Sequence, residues 1–265
     1  MTKFLFLIFL MAPVSVLADQ TRQIVLERLD HQERQALKFL EKNMPRQDKS
    51  ELKPEFLDEN IRLAYQAIAQ VPWGKDIPQD IFFNDVLPYA SLNERRDNWR
   101  KDFYQRFIKI ARESKTIDHA VMVLNKYVFD ALQVSYSATK RPKPDQSPYE
   151  SIQAHYASCT GLSILLTDAL RSVGIPARIA GIAMWPDKSG NHTWVEIWDG
   201  HWHYIGAAEP TGLDHTWFTL KASRTDEQYP IYATSFKKTR LSFPMPWAPN
   251  LKFVPAVDVT NDYKR

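Results

Sequence analysis

The stretch from Ser158 to Ala208 constrains the fold more than any other part of the chain. Ser158 can cap a helix whose buried face would be Leu162, Leu165, Leu166, Ala169 and Val173, and Gly174 followed by Pro176 ends it. Strands are then predicted over Ala177–Ile182 and His192–Trp198, with a turn over Pro186–Asn191 between them. Asp199-Gly200 is a hairpin signal, and His201–Ala208 should run back as the partner strand until Pro210 stops it. A helix followed by antiparallel strands, behind a helical front half, reads as an α+β class.

The front of the chain is helical. Ile24/Val25, Leu29, Ala36/Leu37 and Leu40 share one stripe, and Phe56/Leu57, Ile61, Ala64/Tyr65 and Ile68 share a second. Trp99, Phe103 and Phe107 recur every four residues, as do Ala120, Leu124 and Val128, so four amphipathic helices are expected between Thr21 and Leu132. Lys140–Pro148 carries three prolines without periodicity and reads as a loop between this front half and a mixed back half. Tyr229–Phe236 offers a further strand. Beyond Phe243, Pro244, Pro246, Pro249 and Pro255 point to a tail that wraps the surface without regular structure. The organisation expected is therefore an export signal over 1–18, a helical region over 19–140, a core over 141–240 and a Pro-rich tail over 241–265.

The signal rests on Lys3, the apolar run Phe4–Met11 and the small-residue cleavage site Val16-Leu17-Ala18, with cleavage after Ala18. Phe4–Leu17 is 14 residues long and broken by Pro13, short of the ~20 that span a bilayer. A periplasmic or secreted protein follows, with no membrane partner after cleavage. The net charge of +3 is small and no basic run concentrates it, which argues against a nucleic-acid partner. Cys159 is the one cysteine of the chain. Oxidising compartments favour paired cysteines or none, so an exported lone cysteine points to chemistry.

Its position supports that reading. In the first turn of a helix a thiol sits beside unpaired amides and the positive end of the macrodipole, which favour the thiolate. The alternative is a small buried apolar residue. What separates the two is the order of the following elements: helix, strand, and then Asn191-His192-Thr193-Trp194-Val195-Glu196 opening a hairpin. That order can bring an imidazole from a sheet edge against a thiol on a helix end.

With these residues the chain resembles the transglutaminase-like superfamily of papain-like cysteine enzymes. The similarity covers roughly Tyr149 to Phe218 and is carried by Ala157-Ser-Cys159-Thr-Gly-Leu, Leu170-Arg-Ser-Val-Gly-Ile-Pro-Ala-Arg178, Asn191-His-Thr-Trp-Val-Glu-Ile-Trp198-Asp-Gly and Ala208-Glu-Pro-Thr211. The resemblance implies a papain/transglutaminase-like core, with the cysteine-bearing helix packed on an antiparallel sheet, behind an N-terminal helical extension. It also implies a nucleophile, base and acid in that order, matching Cys159 and His192. Pro72–Pro78 and Asn84–Tyr89 resemble the helical extension of a bacterial subgroup and imply nothing about chemistry.

The acid departs from the family pattern, which places aspartate four residues after the tryptophan of the returning strand, here Gly206. Glu209 follows in Ala-Glu-Pro-Thr. With a two-residue turn at Asp199-Gly200, His192 faces Ala207 and Glu209 lies one diagonal away at ~7–8 Å. With a three-residue turn through His201, Gly206 shares the face and Glu209 needs a bulge. The two-residue turn, and with it Glu209 as the acid, is the preferred reading. Glu196 stands ~13 Å along the strand and is no rival; Asp214 is a weaker one.

Gln153, six residues before Cys159, occupies the offset at which papain-like enzymes carry an oxyanion-binding glutamine, and Trp194 is placed as a cleft wall shielding the thiol–imidazole pair. His201, His203 and His215 raise a metal reading that lacks a buried third ligand, so no metal or cofactor is expected. The expected function is cysteine-dependent acyl transfer on amide bonds of proteins or peptides, hydrolytic rather than cross-linking. The alternative is a non-catalytic protein- or glycan-binding module on the same fold.

Overall fold

The computed structural model describes residues 23–24 and 26–264. The expected signal, 1–18, lies outside the described residues, as does Val25 of the first stripe. Asp30 caps the first full helix, α1 (His31–Asn43), by a capping box with Glu33. Then follow α2 (Arg46–Glu51) and α3 (Pro54–Gln70), which starts on a proline. A short turn at Gln79–Ile81 runs into a π-helical turn, Phe82–Val86. α4 (Arg100–Glu113) and α5 (Ile117–Leu132) complete the front half. Three of the four stripes become single helices, while the first is broken at Leu29–Asp30, where Asp30 caps α1, so only its Ala36/Leu37 and Leu40 part lies on that helix. No helix among the described residues is long and apolar enough to cross a membrane.

The back half begins with β1 (Ser135–Tyr136), α6 (Pro148–Ala154) and β2 (Tyr156–Ala157), the two strands pairing in parallel. α7 (Cys159–Ser172) follows, then β3 (Ala177–Ile182), β4 (His192–Trp198), β5 (Trp202–Ile205), α8 (Thr219–Ala222), β6 (Ile231–Thr234), β7 (Leu241–Ser242) and β8 (Pro255–Asp258). The last six strands form one antiparallel sheet in the order β5-β4-β3-β6-β8-β7. The segment beyond Phe243, expected to lack regular structure, instead supplies β8, which pairs with both β6 and β7. Pro255 is tolerated because it opens the strand, where its missing N–H breaks little of the ladder.

Helix α7 is the axis of the molecule. From Thr160 to Ser172 every residue is buried, because the helix is covered on one side by the front half and on the other by the sheet. Leu162, Leu165, Leu166 and Ala169 join a single apolar cluster with Phe103 and Phe107 of α4, Leu124 and Val128 of α5, and Val195 and Ile197 of β4. Each fully buried leucine or phenylalanine contributes roughly 1.5–3 kcal/mol, so both sides hold the cysteine-bearing helix in place. The opposite face of β3 and β4 carries Ala180, Ile182 and Trp194, packed on Trp185, Phe218 and Tyr263.

Candidate active site

Cys159 is the first residue of α7, and Ser158 is its cap as expected: the Ser158 hydroxyl accepts from the Gly161 amide at 3.0 Å. That hydroxyl also donates to the Pro144 carbonyl at 2.6 Å, fixing the helix start to the preceding loop. First-turn amides have no acceptor within the helix, and the cap satisfies that of Gly161, not that of Cys159. Next to the thiol, Thr160 and Thr193 hydroxyls meet at 3.1 Å, tying the first turn of α7 to β4 one residue from His192. Cys159 is a free, half-buried thiol.

A cleft of about 570 Å³ brings Cys159, His192 and Glu209 to one surface, with Trp185, Trp217 and Lys221 in its walls. His192 opens β4 and lies in a nest of rings, with centroids 4.9 Å from Trp217, 5.0 Å from Phe218 and 5.7 Å from Trp194. Its Nε2 is closed off from solvent and has no hydrogen-bond partner among the described residues. Burial first, and the nearby Lys221 charge second, push the imidazole down to about 4. At neutral pH His192 is therefore uncharged, a free base rather than half of an ion pair.

The acid arrives by an unexpected route. β4 and β5 pair Trp198 with Trp202 and Val195 with Ile205, which leaves Asp199, Gly200 and His201 as a three-residue turn and overturns the two-residue register. Gly200 sits at φ +122°, where a side chain would be strained. Gly206 thus falls on the His192 face, and Glu209 reaches it because the chain leaves the ladder. The Glu209 amide donates to the Gly206 carbonyl at 3.1 Å, with Ala208 at φ +64°. This turn ends β5 at Ile205 rather than Ala208. Asn125, wholly buried on α5, holds it: its amide donates to the Gly206 carbonyl and its oxygen accepts from the Ala208 amide, each at 2.9 Å.

The result is that the Glu209 carboxyl folds over Gly206, occupying the space a β-carbon there would need. It accepts a hydrogen bond from Trp217 Nε1 at 3.1 Å. Burial raises its pKa, and the Trp217 bond partly opposes this. No hydrogen bond joins Glu209 to His192 among the described residues. Trp217 touches both, its ring on the imidazole and its N–H on the carboxylate.

The remaining sequence candidates are placed elsewhere. Gln153 is exposed on α6 and outside the cleft lining. Trp194 is not a cleft wall: it is fully buried, its ring against those of both His192 and Trp185, with Nε1 donating to Tyr263 at 2.7 Å. Its place on the buried face of β4 is the reason. Asp214 is taken by His203, whose Nδ1 lies 2.6 Å from it, while Nε2 lies 3.2 Å from Asp199. Burial lowers the His203 pKa, but the Asp214 bond and the charges of Asp214, Asp199 and Asp118 outweigh it and raise it overall. No group of three His, Cys, Asp or Glu side chains among the described residues could hold a metal ion. Sequence reasoning missed Asn125, Trp217 and Lys221. The first lies far upstream in an ordinary helical stripe, and only the adjacent aromatics Trp217-Phe218 offered a signal for the others.

A search among curated proteins found no match. Among solved structures, the chain is similar to a "Putative Cysteine Protease" from Cytophaga hutchinsonii at 18% identity and TM-score 0.39, over 56% of this chain and 49% of that one. It therefore spans about half the length of that protein. It is also similar to LapG of Legionella pneumophila at 14% identity and TM-score 0.34, over 58% of this chain and 75% of that one. At this distance neither likeness bears on activity. The sequence model of the Transglutaminase-like superfamily matches residues 105–218, from within α4 through the Cys159 helix and the hairpin to Phe218, and the chain thus carries a transglutaminase-like superfamily domain.

Proposed function

We propose that the protein is an exported, cysteine-dependent amide hydrolase acting on proteins or peptides, with Cys159 as nucleophile, His192 as base and acid, and Glu209 as the group that steadies His192. The observation that carries this reading is the gathering of a helix-start thiol, an uncharged imidazole and a carboxyl in one cleft. The uncharged His192 can take the thiol proton as Cys159 Sγ bonds to the substrate carbonyl carbon. The carbonyl electron pair moves to oxygen, and the Cys159 amide at the helix end is placed to donate to that oxyanion. Collapse breaks the C–N bond, the imidazolium gives its proton to the leaving amine, and an acyl thioester remains. Water, deprotonated by His192, then releases the acid and restores the thiol.

Imidazolium is the costly species here, because burial and Lys221 both disfavour it. A carboxylate at His192 offsets that cost, so Glu209 acts when the Trp217 indole gives up its hydrogen bond. Cleavage after Ala18 would deliver the protein to the periplasm or the medium. Incubation with a proteome-derived peptide library, read by mass spectrometry, tests the proposal. New peptide termini are expected with wild type and none with Cys159→Ala. Cross-linked or deamidated products in place of termini would reassign the second step to another acceptor or to side-chain amides. No product, with Cys159 unreactive toward iodoacetamide in the folded protein even at pH 8, would make the cleft a binding module instead.

A further inference from the structure

Lys221 is the one cation among the residues that line the cleft, and it is held in a fixed place. Its ammonium lies 2.9 Å from Asp187 Oδ2 and donates to the Ser189 hydroxyl at 2.7 Å, so two of its three N–H groups are used. It stands over two tryptophans, 6.0 Å from the Trp185 centroid and 5.9 Å from that of Trp217. Both rings also contact His192, at 6.3 and 4.9 Å. A flexible lysine is thereby converted into a preorganised charge beside the catalytic imidazole. The third N–H has no partner among the described residues, and the side chain keeps 33% of its surface exposed.

We propose that the Lys221 ammonium is a binding subsite for a carboxylate of the substrate, so that the protein selects amides flanked by an acidic residue lying over Trp185 and Trp217. The proposal rests on the reading of Cys159 as the reactive nucleophile. Indole faces accept the stem of an aspartate or glutamate while its charged end meets the ammonium. Glu209, on the Trp217 N–H side, repels an anion that overshoots this position. The same contact has a chemical effect. A bound carboxylate screens the lysine field at His192, so the right substrate makes the imidazolium less costly at the moment it must form.

The test uses two reagents that deliver the same carbon to Cys159, iodoacetate with a negative charge and iodoacetamide with none. The ratio of their rates cancels changes in thiolate fraction and reads only the preference for charge. In wild type the iodoacetate/iodoacetamide ratio should exceed that of free cysteine. Lys221→Met should lower it ~3–10-fold, the size expected for one partly screened charge nearby. Lys221→Glu should push it below the free-cysteine value, and Asp187→Asn, which removes the competing carboxylate, should raise it. Library cleavage sites should show Asp or Glu enriched at one fixed position in wild type and not in Lys221→Met. A ratio equal in wild type, Lys221→Met and Lys221→Glu, with all three folded by circular dichroism, overturns the subsite alone. A thiol that reacts with neither reagent overturns the nucleophile assignment and the subsite with it.

Discussion

In the proposed triad, Gly206 and Glu209 would divide between them the work of a single aspartate. Glu209 supplies the carboxyl and Gly206 supplies the room for it. Glu209→Ala should therefore cost on the order of 10²- to 10⁴-fold in rate, the scale seen when a triad loses its acid, and Gly206→Asp placed in that background should recover part of the loss. Peptide cleavage rates for the two variants check this; a double variant no faster than Glu209→Ala would mean that the carboxyl does not serve His192. Trp217→Phe keeps a ring on the imidazole and removes the N–H that holds the carboxylate. With Glu209 released toward it, the His192 pKa should rise from about 4, as read from its ring proton shifts against pH. His192 also predicts a pH dependence of stability. Its folded pKa lies below the unfolded value of ~6.5, so the unfolded chain binds the proton first and stability is lost as pH falls from ~6.5 through about 4, by up to roughly 3 kcal/mol. Urea midpoints at pH 7 and pH 4.5 should differ less for His192→Asn than for wild type. The places of Cys159 at a helix start and His192 at a strand start were legible in the sequence because cap, periodicity and strand start are local signals. Trp217 was not, since its role depends on a loop folding back across the cleft.

Among the elements, the start of α7 and the strands β3 and β4 were legible to the residue, whereas the hairpin turn was not. Asp199-Gly200 reads the same for two-residue and three-residue turns, and the choice was made by Asn125 on α5, 81 residues before Gly206 in the chain. A one-residue change of register reverses which side chains face the cleft, so an error there reaches the acid directly. Asn125→Ala leaves the positive-φ Ala208 amide without its partner and the Gly206 carbonyl with the Glu209 amide alone, which should cost roughly 1–3 kcal/mol for the unmet amide. The measurable expectation is a lower melting temperature and a rate loss approaching that of Glu209→Ala, since the Gly206–Glu209 turn loosens; Asn125→Asp, which keeps the acceptor, should fall between. β8 was illegible for a different reason. It is four residues long, begins on a proline, and has no alternation to betray it.

At the scale of the molecule, the front half and the sheet share α7, so neither encloses the Cys159-bearing helix alone. The family match begins at Gln105, ahead of the Pro-rich loop where composition suggests a boundary, in keeping with helices α4 and α5 packing on α7. The C-terminal segment is equally integral. Tyr263 is buried, its hydroxyl donating to Glu196 at 2.5 Å and accepting from Trp194, which backs His192. Tyr263→Phe should lower stability by ~1–3 kcal/mol in thermal melts, while removal of residues 241–265 should leave β6 with an unpaired edge and yield aggregated protein on size exclusion. The place of β8 between β6 and β7 also sets a timetable. A ribosome releases Cys159 and His192 long before residues 255–258, so the sheet stays open, and the wall behind the histidine incomplete, until those residues have emerged. If the chain is exported as proposed, folding this late would let it be threaded unfolded through an export channel and gain its cleft only on the far side, with the Cys159 thiol left outside any formed cleft in the cell that makes it.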